Sequence, residues 1–370
     1  MSEYQYYEFL AIEQLLNDEI RREIASLSSR SQVSSRKALF VYNYGDFPGD
    51  SEQLMTEHFD MMLYMTSWGN RRLIIRLPSS LIDATQVAPF CISEEIDHWY
   101  SEDKRYFILD LNFQDEEQYG WADGEGWLDN LVDLREELIQ GDFRVLYLAW
   151  LKAEKLDEQL LEPPVPNGLK QLSNAQKTYC KFVDIDKAML AAGALQSEKQ
   201  TSHNIDIEKW ITNLSEKEKH GFLSRLSLGE KNLSIQLNKR LSELATKNQP
   251  SLRTETVKRR PISTLNKLAA QWLQQKKEEE RKKAQLANQK KLNLLAAQKK
   301  LLWEDVYRLI DQKKSKSYDL ALGVLTDLHE LAQYQGKLED FKQQLDKIQS
   351  VYSNRSALIS KLKNSGLIKK

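Results

Sequence analysis

The chain has 370 residues, 41% of them apolar and 29% charged, with 53 Lys and Arg against 54 Asp and Glu. That length suits two or three domains with cores of their own, and no apolar run approaches the roughly 20 residues of a membrane-spanning helix. Cys91 and Cys180, about ninety residues apart, assemble neither a disulfide scaffold nor a metal framework.

The near-neutral balance hides an asymmetry. Residues 1–170 carry 15 basic and 32 acidic side chains, whereas residues 171–370 carry 38 and 22. An acidic front and a basic back point to a macromolecular partner, or to docking of one half on the other. The acidic, aromatic start Met1–Tyr7 reads as neither a signal nor a transit peptide. A cytoplasmic location without a membrane role is expected, and so is the absence of any cofactor.

In chain order, Tyr4 to Ile12 predicts a strand, and Asn17 to Leu27 a helix with its acids first and its arginines later. Ala38 to Tyr42 predicts a second strand, closed by the turn residues Gly45, Pro48 and Gly49. Asp50 or Ser51 caps a predicted helix whose face carries Leu54, His58, Met61, Met62 and Met65. Arg71 to Leu77 predicts a third strand. Ile96 to Tyr100 and the alternating run Phe107 to Phe113 then predict a hairpin. After the glycine-rich stretch 120–126 comes a helix with Leu128, Leu131, Leu134 and Leu138 inward, and Phe143 to Leu151 is apolar enough to be a buried helix. Four or five strands with helices between them make an α+β domain over 1–160, with a small mixed sheet.

The run Glu162-Pro163-Pro164-Val165-Pro166-Asn167-Gly168 predicts a linker over 161–170. Everything after it reads as helix. A helical block over 171–250 includes the capping box that opens at Ser215 and a leucine stripe through Leu233, Leu237, Leu241 and Leu244. A basic arm over 251–315 follows, with one long helix from Ile262 to about Asp311 whose stretch Gln274–Lys283 has no apolar side chain. Residues 316–370 predict a helical hairpin, most clearly in the 3-4-3-4 spacing of Leu338, Phe341, Leu345, Ile348 and Tyr352.

Three groups of residues are candidates for function. Asp110, Trp121, Asp123, Glu125 and Trp127 form an acidic, aromatic set in which three carboxylates could hold a cation. A tight turn with acids at a helix start is the simpler explanation of them. Lys258, Arg259, Arg260, Arg281, Lys282 and Lys283 mark a basic arm, and residues 231–300 carry about +13. Such an arm suits a solvated or protein-contacting helix, or nucleic-acid phosphates. Only Trp272 in it could stack on a base. Leu328, Leu338, Phe341 and Leu345 are the anchors of a candidate docking hairpin. The five histidines sit apart from other ligands, and no nucleophile signature argues for an enzyme.

The opening tyrosines, the Gly45–Asp50 turn, Trp68-Gly69-Asn70-Arg71-Arg72-Leu73, Asp123-Gly124-Glu125-Gly126-Trp127-Leu128 and the proline-rich segment together resemble a bacterial protein family with no assigned activity. The tail Tyr318–Leu367 resembles the C-terminal segment of bacterial SWIM-type zinc-finger proteins, although the zinc-finger cysteines and histidines are missing here. That second resemblance implies a shared protein-docking tail. The function expected is that of a non-enzymatic adaptor that binds protein through its arm and hairpin. The alternatives are a nucleic-acid-associated protein using residues 231–300, and a metal-dependent enzyme around Asp110, Asp123 and Glu125.

Overall fold

A computed structural model describes residues 4–115, 123–153, 160–198, 211–229, 233–248 and 259–368. They fall into two compact units, Met1–Leu273 and Gln274–Lys370.

The first unit is built on a seven-stranded sheet. Its strands are β1 (Gln5–Leu10), β2 (Gln32–Val33), β3 (Lys37–Tyr42), β4 (Met61–Thr66), β5 (Asn70–Pro78), β6 (Ile96–Tyr100) and β7 (Tyr106–Gln114), in the order β2-β3-β1-β4-β5-β7-β6. Every pair is antiparallel, so the sheet is not mixed as expected. The β6–β7 hairpin is present, with Ile96 opposite Leu111. Met61 to Met65, expected on a helix face, is instead the central strand β4, and the preceding helix α2 (Ser51–Glu57) stops short of it. A fully buried strand has no polar face, so its short apolar run mimics a buried helix.

Both faces of the sheet are covered. Strand period 2 sends Phe107, Leu109, Leu111 and Phe113 to one face and Ile108 to the other. On the second face α1 (Asp18–Ser26) and α2 add Ile24 and Met55 to Phe9, Phe40, Met62 and Ile74. Asn17 and Asp50 cap these two helices through their side-chain oxygens. The Gly45–Gly49 turn is clasped to the sheet by the buried Gln5, whose amide donates to Gly45 O at 3.2 Å and Asp46 Oδ1 at 3.0 Å.

The first face receives, after the short α3 (Ala84–Val87), the helices α4 (Trp127–Leu131), α5 (Asp133–Ile139), α6 (Arg144–Lys152), α7 (Asn174–Phe182) and α8 (Lys187–Gly193). The helix expected through Leu128–Leu138 is two helices joined at Val132. Helix α6 is buried along nearly its whole length, as its composition demands.

The proline-rich segment is not a solvated linker. Glu162, Pro163, Gly168 and Leu169 are buried, and the same core runs on through α7 and α8 to Ile262, Leu265 and Ala269. The division into units therefore falls at Leu273, about a hundred residues beyond the expected 161–170 boundary. Proline forbids helix and central strand, but it does not forbid burial of a strap whose backbone finds partners. Helices α9 (Glu216–Ser227) and α10 (Leu233–Asn248) follow, and Leu214, Leu237, Leu241 and Leu244 form a small cluster of their own.

The long helix is α11 (Ile262–Ala297), and a break at Gln298 separates it from α12 (Lys299–Asp311). Residues 273–291 of α11 are exposed on every side. Glu278 and Glu279 lie four residues before Lys282 and Lys283, the order that favours a solvated helix. In the second unit α12, α13 (Ser315–Tyr334), α14 (Leu338–Val351) and α15 (Ser356–Asn364) enclose a core of Val306, Ile310, Ala321, Leu325, Leu328, Phe341, Leu345, Ile348, Leu358 and Leu362. The expected hairpin is thus half of a four-helix unit, because α12 and α15 also bury their apolar stripes. Among the described residues no helix is long and apolar enough to cross a membrane.

Candidate functional site

The acidic, aromatic set does not converge. Gly124 lies flat against the Tyr6 ring, where a Cβ would stand 2.1 Å from Tyr6 Cγ, and its amide donates to Tyr4 Oη at 3.3 Å. Asp123 accepts from the Glu125 amide at 3.0 Å, and its carbonyl takes Trp127 Nε1 at 3.1 Å. Trp127 packs on Phe182 with ring centroids 5.5 Å apart. These residues pin α4 to the first face of the sheet. Trp121 lies outside the described residues.

Asp110 points to the opposite face, and its strand is three places from β1, about 14 Å away at the usual strand spacing. Its carboxylate is held by Arg72, Nε to Oδ1 at 2.9 Å and Nη2 to Oδ2 at 2.6 Å, while the same Nη2 reaches Glu52 Oε1 at 2.6 Å. Burial raises the Asp110 pKa against the pull of Arg72. The metal-centred enzyme reading fails on this geometry. Among the described residues no three His, Cys, Asp or Glu side chains group to hold a metal ion.

The basic set divides as well. Lys258 lies outside the described residues and Arg259 is exposed, but Arg260 is committed to a buried cluster. Its Nε and Nη2 donate to the two oxygens of Glu162 at 2.7 and 2.8 Å, and its Nη1 donates to Ala192 O at 3.1 Å. Glu162 is 0% exposed and also takes the Tyr147 hydroxyl. A Cβ on Gly193 would stand 2.4 Å from that hydroxyl, so glycine is required there. Leu161 bridges Pro261, and Glu162 N donates to Arg260 O at 2.8 Å. Arg260 thus fastens the start of α11 to the proline strap and is not free for phosphate. Arg281, Lys282 and Lys283 stand exposed on α11, immediately after Glu278, Glu279 and Glu280.

A second buried network joins segments far apart in the sequence. Asp60, 0% exposed, accepts the amides of Ile12 and Glu13 at 2.6 and 2.8 Å and Arg76 Nη2 at 3.0 Å. Arg135 donates to Arg76 O at 2.9 Å and Glu13 Oε1 at 2.5 Å. Both cysteines are half-buried, and burial pushes each thiol up to about 11.

The docking set is brought together, though mostly as core. Leu345 is buried and Leu338 half-buried, whereas Leu328 and Phe341 also floor a groove. This groove of about 860 Å³ opens between α12, α13 and α14. Trp303 and Tyr307 stand half-buried on its α12 wall, and Ala332 joins Leu328 one helical turn away on α13. Trp303 meets Phe341 with ring centroids 5.8 Å apart. Lys299, Lys300 and Glu304 rim the α12 side, and Asp340, Gln343 and Gln344 the α14 side. The i, i+4 spacing of Lys299, Trp303 and Tyr307 would have found this wall in the sequence. No family model, curated protein or solved structure matches this chain.

Proposed function

We propose that the protein is a non-catalytic adaptor whose C-terminal unit receives an amphipathic helix from a partner protein. The observation that carries this reading is the aromatic-floored groove between α12, α13 and α14. Helix-in-groove recognition uses apolar anchors one turn apart, and Trp and Tyr are the side chains enriched where interface energy concentrates. Lys299 and Lys300, at the end of the α12 rim that precedes Glu304, favour acidic residues on the part of a partner helix that faces them.

Selection of helical peptides from a display library against the full chain tests it. Peptides with apolar residues at i and i+4 and an acidic flank are expected, and W303A together with Y307A should weaken them by about tenfold or more. Peptides of no common pattern, or peptides indifferent to both substitutions, would count against the groove. A second reading, phosphate contact by Arg281, Lys282 and Lys283, is favoured only by their exposure. It requires retention of nucleic acid that falls steeply with salt.

A further inference from the structure

The first unit holds a second cavity, of about 610 Å³, that the adaptor reading does not use. Three segments build it: Thr85–Phe90 around α3, the α5–α6 junction Glu137–Phe143, and the strap Pro164–Asn167. Phe90 is buried, Phe143 and Val165 are half-buried, and the prolines fix the strap's backbone.

The walls are fastened by one guanidinium. Arg144 grips Asp142 through Nε at 2.9 and 3.0 Å and through Nη2 at 2.5 Å, and its Nη1 donates to Gly168 O at 3.2 Å and Gln171 O at 2.9 Å. The fully buried Gln176 donates from Nε2 to Glu137 Oε2 at 2.7 Å and Asp142 Oδ2 at 3.2 Å, which fixes both carboxylates.

The charges do not cancel. Arg144 is ion-paired with Asp142 and also feels the Glu137 carboxylate, so one guanidinium faces two carboxylates. No Lys or Arg among the described residues makes a short ion pair with Glu137, and its Oε1 accepts no hydrogen bond from them. A half-buried carboxylate beside two phenylalanines and a proline wall matches a cation with an apolar body. The volume is that of a small-molecule site.

We propose that this cavity binds a small organic cation, with an ammonium or guanidinium group on Glu137 and an aromatic or aliphatic body between Phe90, Phe143 and Val165. The cation can be a free amine or the basic side chain of a short peptide. Both present the same chemistry.

Titration of the full chain with phenethylammonium, 2-phenylethanol and the dipeptide N-acetyl-Phe-Arg-amide, followed by calorimetry and saturation-transfer NMR, tests the assignment. At least one of the two cations binds, and the neutral alcohol binds about tenfold more weakly than that cation or not at all. Binding by phenethylammonium identifies a free amine as sufficient, and binding by the dipeptide alone identifies the peptide source. E137Q should weaken binding about tenfold. Q86K, at an exposed lining position that carries no core contact, should do the same by repulsion. Thermal melting separates loss of binding from loss of fold for E137Q. The proposal is overturned if neither cation binds, if the alcohol binds as well as the cation, or if both variants bind like the parent chain.

Discussion

The two units solve the burial of polar groups in opposite ways. The first buries Asp60, Asp110, Glu162, Arg71, Arg76, Arg135 and Arg144, and ties most of them into ion pairs that join residues far apart in the chain. In the second, Ser317 is the one buried polar residue among those described, and the core is an apolar seam of four helices. Deleting one member of a buried ion pair strands its partner, whereas deleting a leucine leaves a cavity. The first unit is therefore specified by charge partners and the second by volume. The second also keeps aromatic side chains at a groove, where a partner can reach them.

R260M should have the largest effect on the first unit. That substitution leaves Glu162 buried without its cation, and about 3–5 kcal/mol of stability should go. The two cysteines lie only in the first unit. Thiol labelling during urea unfolding therefore follows that unit, and its transition should move to lower urea while helix loss in the second unit stays in place. L325A is the matching change in the second unit. Leu325 is 0% exposed, and about 2–4 kcal/mol should be lost from the helical transition with the labelling transition unmoved. Equal movement of both transitions in either variant would deny that the units are built independently.

Alkylation sharpens the contrast further. A thiol pushed up to about 11 is almost wholly protonated near neutrality, so Cys91 and Cys180 should react more than about tenfold slower than an unstructured thiol at pH 8. Because burial raises both folded values above 9, the folded state keeps its protons longer than the unfolded chain. Its stability should hold below pH 9 and fall as pH rises toward 11. Rates matching a free thiol, or stability flat from pH 9 to 11, would contradict this burial. The smallest effect is expected at Lys282, exposed on α11, where K282Q should change unfolding by no more than about 0.5 kcal/mol.

What was legible in the sequence was local. The spacing through Leu338, Phe341, Leu345 and Ile348 predicted α14 and its inward face, and the alternation through Phe107, Leu109 and Leu111 predicted β7, because each signal lies within one element. Met61 to Met65 misled, since a strand covered on both faces loses the alternation that marks a strand. Arg260 misled for a different reason. Its neighbours Lys258 and Arg259 suggest a basic patch, while its partner Glu162 stands 98 positions earlier. Asp60 and Arg135 were silent on the same account, for their meaning lies wholly in pairing across distant segments. The groove was half legible. Leu328 and Phe341 were expected as anchors, but Trp303 and Tyr307 sit on α12, which was expected as the far end of one long arm helix.

On the function proposed above, the groove of the second unit is where this protein meets its partner. The decisive experiment is affinity capture with the full chain from a lysate of its source cells, with and without nuclease and at low and moderate salt, with W303A/Y307A run beside the parent chain. A stoichiometric protein that persists through nuclease and salt and is lost with the double substitution is expected. Capture unchanged by W303A/Y307A, or recovery of nucleic acid alone at low salt, would contradict it.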